Sequence, residues 1–117
     1  MPQPVLDPEV IESLRELTPP GEPDVLKEVL QLFLDDVPTR IGRLRAAWQA
    51  ADTAEVHRTA HSLKGSSGNI GATQLHDICR LLDEQGRAGD LSQMQALVAS
   101  LEVEYARVEA EIKQFIA

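Results

Sequence analysis

Apolar residues recur every three or four positions along most of this chain, which is the spacing of one face of an α-helix. Pro, Gly and Asp residues interrupt the pattern and divide it into five segments. The first segment begins at Asp7-Pro8-Glu9, where Asp is a good helix cap and Pro suits the first helical position. It ends at Thr18-Pro19-Pro20-Gly21. Its apolar positions are Val10, Leu14 and Leu17.

A long second helix is predicted from about Asp24 to Ala51. Pro38 lies inside it, and because proline removes a backbone donor we expect a kink or a break there. The apolar residues that we assign to this helix are Val25, Val29, Leu32, Phe33, Ile41, Leu44 and Trp48.

A capping box predicts the start of the third helix at Asp52-Thr53-Ala54-Glu55. Its core positions follow at steps of four, three, four and three: Val56, Ala60, Leu63, Ser67 and Ile70.

The fourth helix is predicted to begin near Gly71 and Ala72 and to end at Gly86 and Gly89. We expect Asp90 to cap the last helix, which continues to the C-terminus. The apolar faces of these two helices are Leu75, Ile78, Cys79 and Leu82, and then Leu91, Met94, Leu97, Leu101, Tyr105, Val108, Ile112 and Phe115.

Four substantial helices with short connections favour antiparallel neighbours. The pattern therefore predicts an all-α fold, an antiparallel up-down four-helix bundle with a short additional N-terminal helix. The 117 residues fit a single domain, residues 1–117, in which we expect residues 1–6 to be flexible.

Composition and charge narrow the class of partner. The net charge of −8 opposes binding to nucleic acid or to an anionic membrane surface. A single cysteine, Cys79, excludes an internal disulfide and fits a reducing compartment. No apolar run has the length of a membrane span, and Met1-Pro2-Gln3-Pro4 does not resemble a signal peptide. We expect a soluble, cytoplasmic monomer.

A second stripe of the third helix carries the candidate chemistry. It lies roughly 100° or more around the helix from the core positions. A neutral imidazole is nucleophilic near neutral pH, and Lys64, one turn after His61, could pair with a phosphoryl group bound there. Gly65 leaves room for a phosphoryl group and a docking protein. The stripe consists of His57, His61, Lys64, Gly65 and Gly68.

The fourth helix supplies a polar stripe of its own, made of His76, Arg80, Asp83 and Arg87. If the chain turns near Gly71, His61 is level with residues 81–83. Asp83 could then accept a hydrogen bond from one ring nitrogen and leave the other free to attack, as the carboxylate of a catalytic triad does. The alternative is a solvated charged face.

Two other site chemistries fit less well. His57 and His61 are four residues apart and could share a metal with His76 or Asp83, but Arg58 follows His57, so the zinc-protease pattern is absent. A surface position is the favoured interpretation of His57 taken alone. Gly65-Ser66-Ser67-Gly68 lacks the Gly-Lys-Ser/Thr ending of a nucleotide loop. A carrier without a nucleotide site must obtain its phosphoryl group from another protein.

The segment from Ala60 to Ala72 resembles the signature of histidine-containing phosphotransfer (HPt) domains. That family reads, loosely, Ala-His-x-Leu-Lys-Gly-Ser-Ser/Ala-x-x-(apolar)-Gly-Ala, and this sequence matches each place. The resemblance extends over nearly the whole chain. It implies that His61 is phosphorylated, that Lys64 is the cation beside the phosphoryl group, and that Gly65 gives access.

Further implications concern the surroundings of His61 and the partners. Some members of the family carry an amide at the position of Asp83, and some carry a basic residue at that of Arg87. Arg80, His57 and Gly68 remain candidates for orienting the ring or for docking. The family moves phosphoryl groups between receiver-domain aspartates, and the Mg²⁺ that it needs belongs to the receiver.

The leading hypothesis is therefore a phosphocarrier of a two-component phosphorelay, without a nucleotide site, cofactor or resident metal. It would accept a phosphoryl group from a receiver-domain aspartate onto His61 and pass it to another. The alternatives are a module that docks on a receiver without transfer, and a metal-binding helical bundle.

Overall fold

The computed structural model describes residues 3–117, which form five helices and no strand. The four long helices pack against their neighbours in chain order, α5 closes the bundle against α2, and α1 packs on α2. The predicted all-α bundle with a short additional N-terminal helix is confirmed. The helices are α1 (Pro8–Glu16), α2 (Val25–Gln49), α3 (Thr53–Asn69), α4 (Thr73–Ala88) and α5 (Met94–Ile116).

Aspartate side chains cap the first three helices, as the sequence predicts for Asp7 and Asp52. The carboxylates of Asp7, Asp24 and Asp52 accept hydrogen bonds from backbone N–H groups of the first turn, at 2.9, 3.4 and 3.1 Å. Each bond satisfies a donor that has no partner within the helix.

The predicted cap of the last helix is wrong. The Asp90 carboxylate accepts a hydrogen bond from the N–H of Ser92 at 3.0 Å, which closes a local turn. Helix α5 begins only at Met94, after Gln93.

Helix α2 is one long helix, as predicted, and it continues past Pro38 without the break that was one of the two expected effects of this proline. Pro38 is exposed, whereas Val37 and Ile41 on either side of it are buried. Packing of this apolar face against the bundle keeps the helix continuous, because most helical stability in proteins comes from such packing.

The predicted core of α3 is confirmed, since each of its five positions is buried. In α2 the predicted positions Phe33, Ile41 and Leu44 are buried, whereas Leu32, which we also assigned to the apolar side, is 66% exposed. The other buried residues of α2 are Leu26, Leu30, Val37 and Ala47. Leu17 is likewise 62% exposed, and Ile11 is the buried residue of α1. Both segments have apolar residues on more than one side, so spacing alone does not identify the buried face.

The two glycines expected to end α4 have different roles. Gly89 ends the helix with a positive φ of 69°, a conformation that favours glycine. Gly86 lies inside the helix and is buried, so its assignment as a helix end is wrong.

The N-terminal segment is fastened to the turn between α3 and α4. The N–H of Asp7 donates to the carbonyl of Gly71 at 2.8 Å, and Leu6 is buried in the core. Met1 and Pro2 lie outside the described residues, and the flexibility of residues 1–6 stays a prediction. Among the helices described, none has the length and apolar character that crossing a membrane requires.

Candidate functional site

The turn between α3 and α4 sets the register of the site. Gly71 has a positive φ of 74°, and a Cβ there would lie 2.9 Å from the Cβ of Val10. A side chain is therefore disfavoured both by conformation and by space. The reversal places His61 opposite Asp83, as the level predicted from the sequence requires.

The carboxylate of Asp83 is the centre of the site. Asp83 is 2% exposed, so it is buried rather than part of a solvated charged face. Its Oδ2 lies 3.3 Å from Nδ1 of His61, 3.4 Å from Nζ of Lys64 and 3.6 Å from Nη2 of Arg87. Its Oδ1 lies 2.5 Å from Nδ1 of His57. Four basic side chains thus surround one buried acid.

This arrangement keeps Asp83 ionised. Burial is the largest single influence and raises its pKa, since it removes the carboxylate from water. The hydrogen bonds from His61, Lys64 and His57 together outweigh burial, and the pKa of Asp83 lies below its ordinary value. Near neutral pH the group is a carboxylate, which can only accept hydrogen bonds.

The tautomer of His61 follows from that acceptor. Because Nδ1 faces an ionised carboxylate, the ring proton of the neutral imidazole belongs on Nδ1, and Nε2 carries the free lone pair. The His61 side chain is 63% exposed, so the ring is open to a partner. His61 is therefore a nucleophile whose ring is oriented by the buried Asp83 carboxylate and whose side chain is exposed to solvent.

Gly65 and Gly68 follow His61 on α3, one and two helical turns later. A Cβ built at Gly65 meets nothing within 4 Å, so the chain's own packing does not require glycine there. A Cβ at Gly68 would lie 3.3 Å from Cδ2 of His76, which is a tight contact with a side chain that can move.

Arg80 is a candidate that the structure does not bring to the ring. Its Nη1 lies 2.9 Å from Oε1 of Glu84 on the exposed side of α4. Arg87 reaches the Asp83 carboxylate, although its side chain is 65% exposed. His57, for which a surface position was favoured, is half-buried against Asp83.

Two residues near the site were missed by the sequence analysis. Gly86 packs directly against the backbone of His57, where a Cβ would lie 2.6 Å from the His57 nitrogen. Arg40 reaches across from α2 and donates to the hydroxyls of Ser62 and Ser66, beside His61 on α3. Two glycines three residues apart at one helix end were the available signal for Gly86. No comparable signal marks Arg40.

The metal hypothesis finds little support in this geometry. Between residues 3 and 117, no group of three or more His, Cys, Asp and Glu side chains is arranged to hold a metal ion. The Asp83 oxygens lie directly against Nδ1 of His57 and of His61, so these atoms face one another with no space for a cation between them.

Comparison with known proteins identifies the family. Residues 28–114 match the family model of the Hpt domain. The chain belongs to the Hpt domain family. The expected resemblance is confirmed, and the matched segment contains the whole α3–α4 hairpin of this Hpt domain.

Several curated relatives share the assignment. The Hpt domain is 28% identical over 104 residues to histidine-containing phosphotransfer protein 2 and 33% identical over 90 residues to histidine-containing phosphotransfer protein 5, both of Arabidopsis thaliana. It is 27% identical over 82 residues to multistep phosphorelay regulator 1 of Schizosaccharomyces pombe. The alignments cover 86%, 71% and 70% of this chain and 67%, 57% and 28% of those relatives.

Solved structures agree on the fold. Histidine-containing phosphotransfer protein B of Pseudomonas aeruginosa PAO1 superposes with a TM-score of 0.90 at 37% identity, over 98% of this chain and 96% of that one. The HPT domain of a Shewanella sensor hybrid histidine kinase superposes with a TM-score of 0.77 at 19% identity, over 96% and 93%. The second likeness shows the fold alone.

Proposed function

We propose that this Hpt domain accepts a phosphoryl group from a receiver-domain aspartate onto Nε2 of His61 and passes it to another receiver-domain aspartate. The observation that carries the proposal is an exposed imidazole whose Nδ1 faces a buried, ionised carboxylate. The names of the curated relatives support the same activity.

The step is a direct displacement at phosphorus. The Nε2 lone pair of His61 forms the N–P bond as the P–O bond to the receiver aspartate breaks, and that aspartate leaves as a carboxylate. The Nδ1 proton stays on the ring, which becomes an N-phosphorylated imidazolium. Asp83 stabilises the positive charge that develops on the ring, and the reverse step returns the ring to its neutral form.

Lys64 is proposed to neutralise the phosphoryl group. Its ammonium lies 3.4 Å from the Asp83 oxygen that also faces His61, which places a mobile cation beside the ring. A lysine acts as a point charge on a flexible stem, so a short movement would bring it to the phosphoryl oxygens.

The receiver is proposed to dock over the exposed side of α2 and α3. Gly65 leaves this surface open next to His61, and Leu32 is 66% exposed on the adjacent helix. A shallow groove between the two helices is lined by Leu32, Asp36, Arg40 and Asn69.

The remaining assignments belong to the same proposal. The chain would act as a monomeric cytoplasmic phosphocarrier without a nucleotide site of its own. The Mg²⁺ would be bound by the partner receiver domain, which supplies the phosphoryl group as an acyl phosphate.

The decisive experiment is incubation with a receiver domain carrying labelled aspartyl phosphate. We expect acid-labile label on the wild type, on the control His76→Gln, and none on His61→Gln. His61 is largely exposed, so its replacement should leave the fold intact, as circular dichroism would verify.

The outcomes separate the alternatives. Label persisting on His61→Gln would refute the assignment. Binding of the receiver to an unlabelled wild type would identify a docking module without transfer. Stoichiometric metal in the purified protein, found by elemental analysis, would favour the metal-binding bundle instead.

A further inference from the structure

The two oxygens of the Asp83 carboxylate have unequal surroundings. Oδ2 is shared by His61, Lys64 and Arg87, at 3.3 to 3.6 Å. Oδ1 faces one nitrogen, Nδ1 of His57, at 2.5 Å. On its Oδ1 side, the carboxylate is therefore held by a single contact.

The contact between His57 and Asp83 is buried at both ends. Neither Nδ1 of His57 nor Oδ1 of Asp83 reaches solvent, and neither has another hydrogen-bond partner among the described residues. The contact is close, although it lacks the geometry of a regular hydrogen bond. Because buried polar atoms are almost always paired, these two atoms are partners of each other.

The backbone of His57 has little freedom to move. A Cβ at Gly86 would lie 2.6 Å from the His57 nitrogen and 2.8 Å from its Cα, so α3 and α4 are in direct backbone contact at this point. The ring of His57 thus starts from a fixed position on the same helix as His61, one turn before it.

The influence of His57 on His61 passes through the carboxylate. The ring centroids of the two histidines are 6.1 Å apart and the rings are inclined at 47°, so they do not stack. Without a donor on Oδ1, the carboxylate would be free to rotate toward the cations on its other side, and Oδ2 would lose its alignment with Nδ1 of His61.

We infer that His57 is a positioning residue, which holds the Asp83 carboxylate by Oδ1 so that Oδ2 keeps the proton of His61 on Nδ1. The effect on transfer rate rests on the proposed function, but the effect on the His61 tautomer does not. His57 becomes the third member of a chain in which Asp83 bridges two imidazoles.

The test compares His57→Asn with His57→Leu. The amide nitrogen of Asn sits as many bonds from the backbone as Nδ1 of His and retains a donor, whereas Leu has similar branching and no donor. Nitrogen-15 NMR of the unphosphorylated protein reports which ring nitrogen of His61 carries the proton. Stopped-flow or quench assays with a phosphorylated receiver report the rate.

We expect His57→Asn to keep the Nδ1-protonated form of His61 and a rate close to that of the wild type. His57→Leu should shift the proton partly to Nε2 and slow phosphorylation about tenfold, the scale of one hydrogen bond to a charged group. A purely structural role for His57 would not move the proton between the nitrogens of another residue.

Several results would overturn the inference. They are an unchanged His61 tautomer in His57→Leu, or a displaced proton in a folded His57→Asn. If His57→Leu does not fold, His57→Ala replaces it, because alanine also lacks a donor; a wild-type tautomer in that variant would also overturn the inference. A wild type that never takes label contradicts the proposed function, whereas the tautomer comparison still decides the role of His57.

Discussion

Two glycines in the interior of helices lie in opposite surroundings, one in close contact with a neighbouring helix and the other at an open surface. Gly86 of α4 faces the backbone of His57 so closely that a Cβ would lie 2.6 Å from its nitrogen. Gly65 of α3 faces open space, with nothing within 4 Å of an added Cβ. Each glycine costs helix stability of roughly 1 kcal/mol relative to alanine.

The difference separates a glycine that the packing of the chain requires from one that this packing does not explain. The chain's own packing explains Gly86, which lets α3 and α4 approach and brings Asp83 under the two histidines. Nothing within the described chain explains Gly65. A close approach by another molecule at that surface is the explanation that the proposed function supplies.

The largest expected effect is a loss of fold stability when a side chain is added at Gly86, where α3 and α4 are in direct backbone contact. Gly86→Ala should destabilise the fold by about 1–3 kcal/mol, because overpacking against backbone outweighs the gain in helix propensity. Urea denaturation followed by circular dichroism measures it. A variant as stable as the wild type would show that α3 and α4 can separate at no cost.

Replacing the buried acid should have the next largest effect. Asp83→Asn is expected to lose about 1–2 kcal/mol near neutral pH, because the amide cannot match the hydrogen bonds that the basic side chains make to a carboxylate. It should also slow phosphorylation of His61, because an uncharged amide cannot stabilise the positive charge that develops on the imidazole ring during transfer.

The pH dependence of the stability difference between wild type and Asp83→Asn has a predicted direction. The pKa of Asp83 is lower in the folded protein than its ordinary value of 3.8, so its ionisation stabilises the fold above that value. This stability is lost as pH falls through the folded pKa. The stability difference between wild type and Asp83→Asn should shrink as the pH is lowered from about 7 toward about 3. A difference that stays constant would mean that the charge of Asp83 does not stabilise the fold.

The proposed role of Lys64 at the exposed surface around His61 can be tested by measuring the rate of phosphorylation. Lys64→Ala should slow phosphorylation roughly tenfold, about 1.4 kcal/mol, the order of one charged contact. Lys64→Arg should recover most of the rate, and Lys113→Ala, at an exposed position of α5, should not change it. Loss of helicity in Lys64→Ala would instead make Lys64 structural.

The smallest expected effect completes the glycine comparison. Gly65→Ala should stabilise the helix by about 0.5–1 kcal/mol while weakening transfer from the receiver, since a methyl group enters the docking surface. Thermal unfolding and the transfer assay together measure it. Destabilisation by this variant would erase the contrast with Gly86.

The sequence predicts the bundle well because its signals are local. Caps at Asp7 and Asp52 and the spacing of Val56, Ala60 and Leu63 identify helices and, in α3, the buried face. The position of Asp83 opposite His61 follows from the location of the turn near Gly71 alone. These features depend on few residues close together in the chain.

The parts that failed depend on packing between helices. Leu32 and Leu30 both have helical spacing, and only the position of the other helices buries one and exposes the other. Gly86 resembles a helix end until α3 lies against it. Arg40 belongs to the site's surroundings only because α2 passes beside α3, which no local pattern encodes.

The short turn between α3 and α4 also has a kinetic consequence. The groups around the Asp83 carboxylate all lie between residues 57 and 87, on one helical hairpin. Contacts made over such short stretches of chain require little loop closure and form fast. The hairpin can therefore assemble its polar cluster early in folding, before α5 closes the bundle.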